Sequence, residues 1–364
     1  MDLQPYIPIP VSNESVGRNC VLTAINYVTS RSGGSLSETD LFILSNGFII
    51  KYYYDLRSIG KLNADIFLDL EKETSIRFDF RRRDYEGITV EDMAHALEEG
   101  NLVLLLVDTE RLRYSRIYSG NENRQHAIIL NGLSPDKKHA HIVDPLLLDY
   151  SGNASVYAGV VPMEEAMDAA YACAWLEPGK IKEIPKTKIW EAAYKGFDRF
   201  LKGSEEKEYA QGLAAIKNFL DDFHKLNLLD DNMLAVVCRD INYSIKIRSI
   251  NLINKFMIDF INENDAGWGQ KSAVLTDNIQ EHIFDWEKVG LSVLRAGISK
   301  RRSAFSHIRE KTNTLFKSQL NVYNEFSKYL GGIGRLRQEI KNQKKEEERR
   351  KEEKKRNERK CAIY

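Results

Sequence analysis

The chain has 364 residues, and its 53 basic and 53 acidic side chains cancel to a formal net charge of zero. This balance argues against a nucleic-acid partner and against binding to an anionic membrane. No apolar run reaches the roughly 18 residues of a membrane span, and the start MDLQPYIPIP lacks the basic and apolar regions of a signal peptide. We therefore predict a cytoplasmic protein, in which reducing conditions keep cysteines as free thiols.

The sequence carries no clear motif for binding a metal or a cofactor. The four cysteines show no CxxC spacing, which argues against a zinc site and against a disulfide framework; they are Cys20, Cys173, Cys238 and Cys361. There is no glycine-rich phosphate loop and no G-x-S-x-G elbow. An H-x-H pair, His139 and His141, has lysines beside it and no acidic or thiol companion nearby. We predict no metal and no cofactor.

The first region, residues 1–185, mixes helical and strand patterns. Apolar residues recur at helical spacing after Cys20, and Thr89 opens a second capped segment, which closes at Gly100. Three short apolar runs follow, which are typical of buried strands: Leu102 to Val107, Ala127 to Leu130 and Ala140 to Val143. The pattern predicts an α+β fold with a small antiparallel sheet.

The second region, residues 186–340, has apolar residues at three- and four-residue spacing throughout, which predicts an all-helical domain. The stretch EIPKTK marks the expected hinge between the two regions. Residues 341–364 are nearly all charged, which favours disorder or a solvated helix. The final CAIY looks like a prenylation box, but its last residue is atypical and we do not expect lipidation.

Cys20 is the candidate nucleophile. Asn19 before it is a good N-cap, and a cysteine in the first turn of a helix feels the positive end of the helix dipole, which favours the thiolate. About a hundred residues later, His126 opens one apolar run, and Asp144 ends the next before a proline. A nucleophile, a base and a residue that orients the base therefore follow in the order found in papain-like enzymes.

Each of the three residues also has a purely structural interpretation. A lone cysteine is usually a small core residue, as we expect for Cys173 and Cys238. His126 would then be a surface histidine, and Asp144 would only end its strand. If Asp144 is not the orienting residue, Asp149 and Asn131 are the next candidates.

The segments that carry these residues resemble a known family. RNCVLTAINYV, then SGGSLSETDLFILSNGF, NLVLLLVDTERLRY, QHAIILNG and AHIVDP are similar to the butirosin biosynthesis protein H family, over roughly residues 15–180. The pattern of Ser37, Glu38 and Phe42 is part of this resemblance. The glycine-rich continuation usual in the family is here ILSNGFIIKYYY, with one glycine, so details of the pocket do not carry over.

The resemblance implies a papain-like cysteine-protease fold adapted to synthesis. Such an enzyme takes an acyl group from the thioester of an acyl carrier protein, holds it on Cys20, and passes it to an amine of a small molecule or peptide. The catalytic residues would be Cys20, His126 and Asp144. The oxyanion hole would combine the Cys20 N–H with a side chain upstream, and Asn13 is preferred to Asn19 and Glu14. Two alternatives stay open: a cysteine peptidase or amidase, and a non-catalytic binding module with the same fold.

Overall fold

The computed structural model describes most of the chain, and side chains are described as far as residue 332. The described ranges are 6–8, 16–57, 59–85, 87–115, 124–148, 154–177, 182–264 and 269–361. Within them the fold is α+β, with antiparallel sheets and a mainly helical C-terminal region. None of the described helices is long and apolar enough to cross a membrane.

The helices of the first region are short, and those of the second are longer. In chain order they are α1 (Cys20–Arg31), α2 (Glu38–Leu44), α3 (Asn63–Glu73), α4 (Val90–Glu98), α5 (Met163–Ala169), α6 (Lys186–Lys202), α7 (Leu213–Asp221), α8 (Asp231–Tyr243), α9 (Ile250–Asn264), α10 (Gln270–Ile298) and α11 (Ala304–Cys361). A π-helical turn, Ser244–Arg248, connects α8 to α9.

Ten strands form two antiparallel sheets. The strands are β1 (Lys51–Tyr52), β2 (Ile59–Gly60), β3 (Phe78–Arg82), β4 (Val103–Asp108), β5 (Gln125–Leu133), β6 (His139–Leu148), β7 (Ala154–Pro162), β8 (Ala170–Leu176), β9 (Ser204–Glu205) and β10 (Ala210–Gln211). The large sheet has the order β3-β8-β4-β5-β6-β7, and the small sheet has the order β2-β1-β10-β9. The three strands predicted from apolar runs, β4, β5 and β6, lie side by side in the large sheet.

Helix α1 lies against the large sheet because one of its faces is apolar. Val21, Leu22, Ile25 and Val28 are all buried, and the helix packs on β5 and β6. Burial of a side chain of this size contributes about 1.5–3 kcal/mol. The start of α1, with Cys20, is therefore held beside the two strands that carry His126 and Asp144.

The second region is mainly helical, but it also contains the two short strands β9 and β10. The prediction that this region is all-helical is therefore wrong for these two strands. The strand signal is weak because each strand has only two residues, and the pairing partner lies far away in the sequence. Lys51 of β1 pairs with Gln211 of β10, which joins the two regions in one sheet. The domain boundaries at residues 185 and 340 stay predictions.

Aromatic side chains pack across the two regions. The Phe42 ring stacks on Phe256 with centroids 4.0 Å apart, and Phe48 meets Phe197 edge to face at 5.1 Å. Such pairs contribute roughly 0.5–1.5 kcal/mol beyond the burial of their area. The helical region therefore has a fixed position relative to α2, which immediately follows α1 in the chain.

Candidate active site

Cys20 is the first residue of α1, as predicted, and its side chain is partly exposed. The Asn19 side-chain oxygen caps the helix by accepting hydrogen bonds from the Val21 and Leu22 N–H groups, each at 3.1 Å. Within the described residues, no acceptor contacts the Cys20 N–H. A free backbone donor beside a thiol is what an oxyanion hole at this cysteine requires.

The turn before Cys20 is held by Glu38, at the start of α2. One carboxylate oxygen accepts from the Arg18 and Asn19 N–H groups at 2.9 and 2.8 Å, and the other accepts from Arg18 at 3.1 Å. Burial raises the pKa of Glu38 to about 7, although these N–H donors, Thr23 and Arg18 act to lower it. Glu38 therefore changes charge close to neutral pH.

Gly17 leaves the space that this arrangement needs. A Cβ atom on Gly17 would lie 1.9 Å from Thr23 Oγ1 and 2.7 Å from Glu38 Oε2, closer than real Cβ contacts. Any larger residue would therefore push Thr23 and Glu38 away from the start of α1. The glycine matters here because of close packing, not because of an unusual backbone angle.

His126 and Asp144 lie on neighbouring strands, and their side chains meet. Ile129 of β5 pairs with Val143 of β6, and extending this register places Asp144 opposite Ile128. Because side chains alternate along a strand, Ile128 and His126 share one face of the sheet. His126 Nε2 lies 2.8 Å from Asp144 Oδ1, and both side chains are buried.

Cys20 lies near enough to His126 for its charge and a side-chain hydrogen bond to be among the causes that raise the pKa of the ring. Because Asp144 occupies Nε2, Nδ1 is the ring nitrogen that remains for an interaction with Cys20. Burial disfavours a charged His126 and lowers its pKa, but the charges of Asp144 and Cys20 and the hydrogen bonds to both outweigh burial. The net effect raises the pKa of His126 well above its ordinary value. The cluster therefore favours an imidazolium beside the thiol group of Cys20.

Asp144 is completely buried, and its side chain accepts hydrogen bonds from three described residues. Oδ1 accepts from His126 and from the Leu146 N–H, at 3.1 Å for the latter. Oδ2 accepts from the Tyr114 hydroxyl at 2.9 Å. Tyr114 stacks on Tyr157, which pairs with Asp144 across β6 and β7. These contacts fix the carboxylate, which fixes the orientation of the imidazole.

Among the other predicted candidates, Asn131 is described, and it is not part of this cluster. Asn131, the alternative orienting residue, donates to the Ile7 carbonyl at 2.9 Å and lies 2.6 Å from His141 Nδ1. Asn13, Glu14 and Asp149 lie outside the described residues. The prediction that Asn13 completes the oxyanion hole therefore stays a prediction.

Two further cysteines and the H-x-H pair lie away from this cluster, in the strands and helices of the core. Cys173 and Cys238 are buried, and burial raises the pKa of each thiol to about 12. Among the described residues no group of three or more histidine, cysteine or acidic side chains is placed to hold a metal ion. His139 and His141 both lie in β6, where His141 Nδ1 is 2.6 Å from Asn131 Oδ1.

The helical region approaches the start of α1 and β5 through charged contacts. Arg18, next to Asn19, forms a two-point ion pair with Asp259 of α9, with the Nε atom 3.0 Å from the carboxylate. Arg124, two residues before His126, lies over the Tyr243 ring at 3.7 Å from its centroid. The end of α8 and one face of α9 are therefore neighbours of the site.

The sequence alone predicts the three residues of the cluster but not the residues that support them. Glu38 was noted only as part of a motif, although its position in Ser-x-x-Asp, a helix-start pattern, marks it as a residue in a first turn. Tyr114 follows a short 3₁₀ turn, Thr109–Arg111, and no sequence pattern indicates that it faces Asp144. Its role depends on the folded loop.

Taken together, the site defines an α+β protein with a buried histidine–carboxylate pair near a cysteine at the start of a helix. Residues 19–145 match the family described as butirosin biosynthesis protein H, N-terminal. The match covers the start of α1 through Pro145, so it includes all three residues of the cluster. It confirms the resemblance predicted from the sequence for this part of the chain. A comparison with curated proteins gives no match.

Proposed function

We propose that the chain is a cysteine-dependent acyltransferase that forms amide bonds in natural-product biosynthesis. The observation that carries the proposal is the buried hydrogen bond between His126 and Asp144, with Cys20 at the start of α1 among the groups that raise the pKa of His126. The similarity to butirosin biosynthesis protein H supports a biosynthetic role. The same order of residues supports a papain-like arrangement of the first region. We place the protein in the cytoplasm, with an acyl carrier protein as donor.

Acylation needs a thiolate and an acid. The Cys20 thiolate attacks the carbonyl carbon of the donor thioester, and the oxyanion that forms accepts a hydrogen bond from the Cys20 N–H. The bond from this carbon to the carrier sulfur then breaks. The imidazolium of His126 gives its Nδ1 proton to the departing sulfur, which leaves as a thiol. The raised pKa of His126 favours this acid role because the ring holds its proton until the bond breaks.

Transfer uses the neutral ring that acylation leaves behind. An amine attacks the acyl-Cys20 carbonyl, and His126 Nδ1 accepts the proton that the nitrogen loses as the new bond forms. The tetrahedral intermediate collapses to the amide, and Cys20 leaves as a thiolate beside the imidazolium. Asp144 keeps the proton on Nε2 throughout and stabilises the charged ring. The starting state is restored, so the cycle needs no other reactant.

The proposal is tested by intact-mass analysis after incubation with an acyl carrier protein that carries an acyl thioester. We expect one acyl adduct, which is absent in the Cys20→Ala variant and unchanged in a Cys361→Ser control. An amine should release the adduct faster than buffer alone does. Release at the same rate without amine would instead identify a peptidase or amidase, and no adduct from any thioester would leave a binding module.

A further inference from the structure

A second polar group lies beside the cluster, on strand β8. Leu106 of β4 pairs with Ala172, and the next residue, Val107, pairs with Ala170, so Tyr171 has no residue opposite it and forms a β-bulge. Val107 pairs on its other side with His126. The bulge on β8 is therefore level with His126 on β5, and β4 lies between them. Bulges often occur next to active sites, where they redirect a side chain.

The Tyr171 hydroxyl is available as a hydrogen-bond donor. It accepts a hydrogen bond from Asn63 Nδ2 at 3.1 Å, and its own proton needs a different acceptor. Burial raises the pKa of Tyr171 to about 12, with Asn63 acting against this and the charge of Cys20 adding to it. The hydroxyl therefore keeps its proton, and it is near enough to Cys20 to feel the charge of the sulfur.

Arg248 approaches Tyr171 from the helical region. It is the last residue of the π-helical turn, its side chain is half-buried, and its charge acts on Tyr171. Within the part of the chain that the structure describes, its guanidinium has no hydrogen-bond or ion-pair partner. π-helical turns are rare and occur frequently at functional sites.

Gly60 makes the approach of Arg248 possible. A Cβ atom on Gly60 would lie 3.1 Å from the Arg248 carbonyl oxygen and 3.4 Å from Arg248 Nε, tighter than most real contacts. The φ angle of Gly60 is +148°, a conformation that residues with a side chain rarely adopt. The Arg248 side chain therefore passes directly over β2, three residues before Asn63.

The charge of Arg248 is not cancelled by the acidic group nearby. Asp108 also acts on Tyr171. Burial and Glu110 raise the pKa of Asp108, although Arg111 and Arg83 act to lower it, so the net effect favours the neutral form of this carboxyl group. Arg248 remains as an additional positive charge.

We propose that Arg248, Tyr171 and Asn63 form a subsite that binds a carboxylate of the substrate while Cys20 reacts. The inference rests on the proposed function and names the class of molecule that the site takes. A guanidinium is planar and binds a carboxylate through two parallel hydrogen bonds, and a tyrosine hydroxyl adds a third donor. The phosphate of a carrier arm is a poor fit, because a whole pantetheine chain separates it from the thioester.

Charge-matched alkylating reagents test the subsite without relying on acyl transfer. The reagent pairs are iodoacetate with iodoacetamide, and N-iodoacetylglycine with N-iodoacetylglycinamide, which place a carboxylate or its neutral amide at two distances from the sulfur. We expect Arg248→Gln to lower the ratio of acid to amide labelling at Cys20 about tenfold for at least one pair. Arg248→Lys, which keeps the charge, should retain part of the preference.

The control is Arg295→Gln, because Arg295 lines a separate cavity with His307 and Lys311. It should leave both ratios unchanged, and circular dichroism checks that each variant is folded. Equal ratios in wild type and Arg248→Gln for both reagent pairs would overturn the proposal. A Tyr171→Phe variant should lower the same ratio by a smaller factor.

Two further arms show which substrate carries the carboxylate. In the first arm, Cys20 is acylated by one of two thioesters of N-acetylcysteamine. One carries a glutaryl group with a free carboxylate, and the other carries the methyl ester of that group. In the second, glycine or glycinamide releases the acyl group. If Arg248→Gln loses the preference for the acid in the first arm, the subsite binds the acyl donor. If it loses the preference in the second arm, the subsite binds the amine acceptor. If even the neutral thioester gives no adduct, the proposed function fails, but the alkylation ratios still test the subsite.

Discussion

The two sides of the site differ in how their polar groups are satisfied. On the sheet side, His126 and Asp144 are buried and hydrogen-bonded, and Glu38 holds the turn before Cys20. On the helical side, Arg248 and Lys255 have no hydrogen-bond or ion-pair partner among the described residues. Burial lowers the pKa of Lys255, and the nearby charge of Arg18 lowers it further.

The difference separates two tasks. Reaction chemistry needs groups that are already fixed in position, since reorganisation during the reaction raises the barrier. Recognition needs charges that have no partner until a ligand arrives. The sheet side therefore fits the reacting groups, and the helical side fits the binding of a charged substrate.

Breaking the sheet side at its most buried carboxylate should have the largest effect. We expect Asp144→Asn to keep the fold but to lower turnover by about 10⁴, because an amide does not hold the proton on His126 Nε2. Turnover is measured by release of thiol from an acyl thioester. Asp84→Asn, which changes an exposed carboxylate paired with Arg82, is the control. A loss of less than tenfold would move the orienting role to another residue.

The second prediction concerns Glu38 and the pH dependence of stability. Because burial raises the pKa of Glu38 from 4.5 to about 7, the folded state binds its proton more tightly than the unfolded state does. This contribution is complete below about pH 4.5 and is lost as the pH rises to about 7. The shift corresponds to a free energy of unfolding on the order of 3 kcal/mol.

A Glu38→Gln variant should lack this loss, since an amide oxygen still accepts from Arg18 and Asn19 but carries no charge. Urea unfolding between pH 4 and 8 measures the difference. His126 contributes in the same direction at higher pH, because its raised pKa makes stability fall as the pH rises through it. Comparing the two proteins cancels that contribution. If the difference in free energy of unfolding between wild type and Glu38→Gln does not change across this pH range, the pKa of Glu38 is not raised by burial. Glu91→Gln, an exposed change, is the control.

A smaller effect is expected from the tyrosine behind Asp144. Tyr114→Phe removes the hydrogen bond to Asp144 Oδ2 and keeps the ring stacked on Tyr157. A hydrogen bond to a charged group contributes about 1.5–3 kcal/mol, so we expect turnover to fall roughly tenfold or more. Tyr157→Phe is the matched control, since it keeps the ring stack and leaves this hydrogen bond in place. Equal turnover of the two variants would contradict a positioning role.

The smallest effect is expected from the tail. The backbone of α11 continues as a helix to Cys361, and its side chains beyond residue 332 are not described, so disorder or a solvated helix over residues 341–364 stays a prediction. Removing residues 341–364 should leave the melting temperature and turnover nearly unchanged, because the sequence there offers little apolar surface. The salt dependence of acylation, compared for both chains, tests whether the tail steers an acidic carrier protein. Equal loss of rate at high salt would exclude steering.

The sequence predicted Cys20, His126 and Asp144 as candidates because their signals are local. An N-cap before Cys20, and apolar runs that begin at His126 and end at Asp144, are visible in short windows. Strand β8 was missed: its small residues, such as Ala172 and Ala174, give little strand signal, although Cys173 within it is the buried core residue that was expected.

The supporting residues could not be predicted for a different reason. Tyr171 depends on a one-residue shift in strand register, and Arg248 depends on a π-helical turn more than a hundred residues after the sheet begins. Glu38 reaches the turn before Cys20 from the next helix. Each position results from long-range packing, which a pattern of apolar residues along the chain does not encode.

The most direct test of the central claim is the reactivity of Cys20 with iodoacetamide at neutral pH. In a Cys361→Ser background, we expect Cys20 to be labelled well ahead of Cys173 and Cys238, since it is partly exposed and contacts His126. His126→Ala should slow its labelling, whereas a surface change, His95→Ala, should not. Labelling of Cys20 at the rate of the buried thiols, or a rate independent of His126, would contradict the claim that these residues act as a unit.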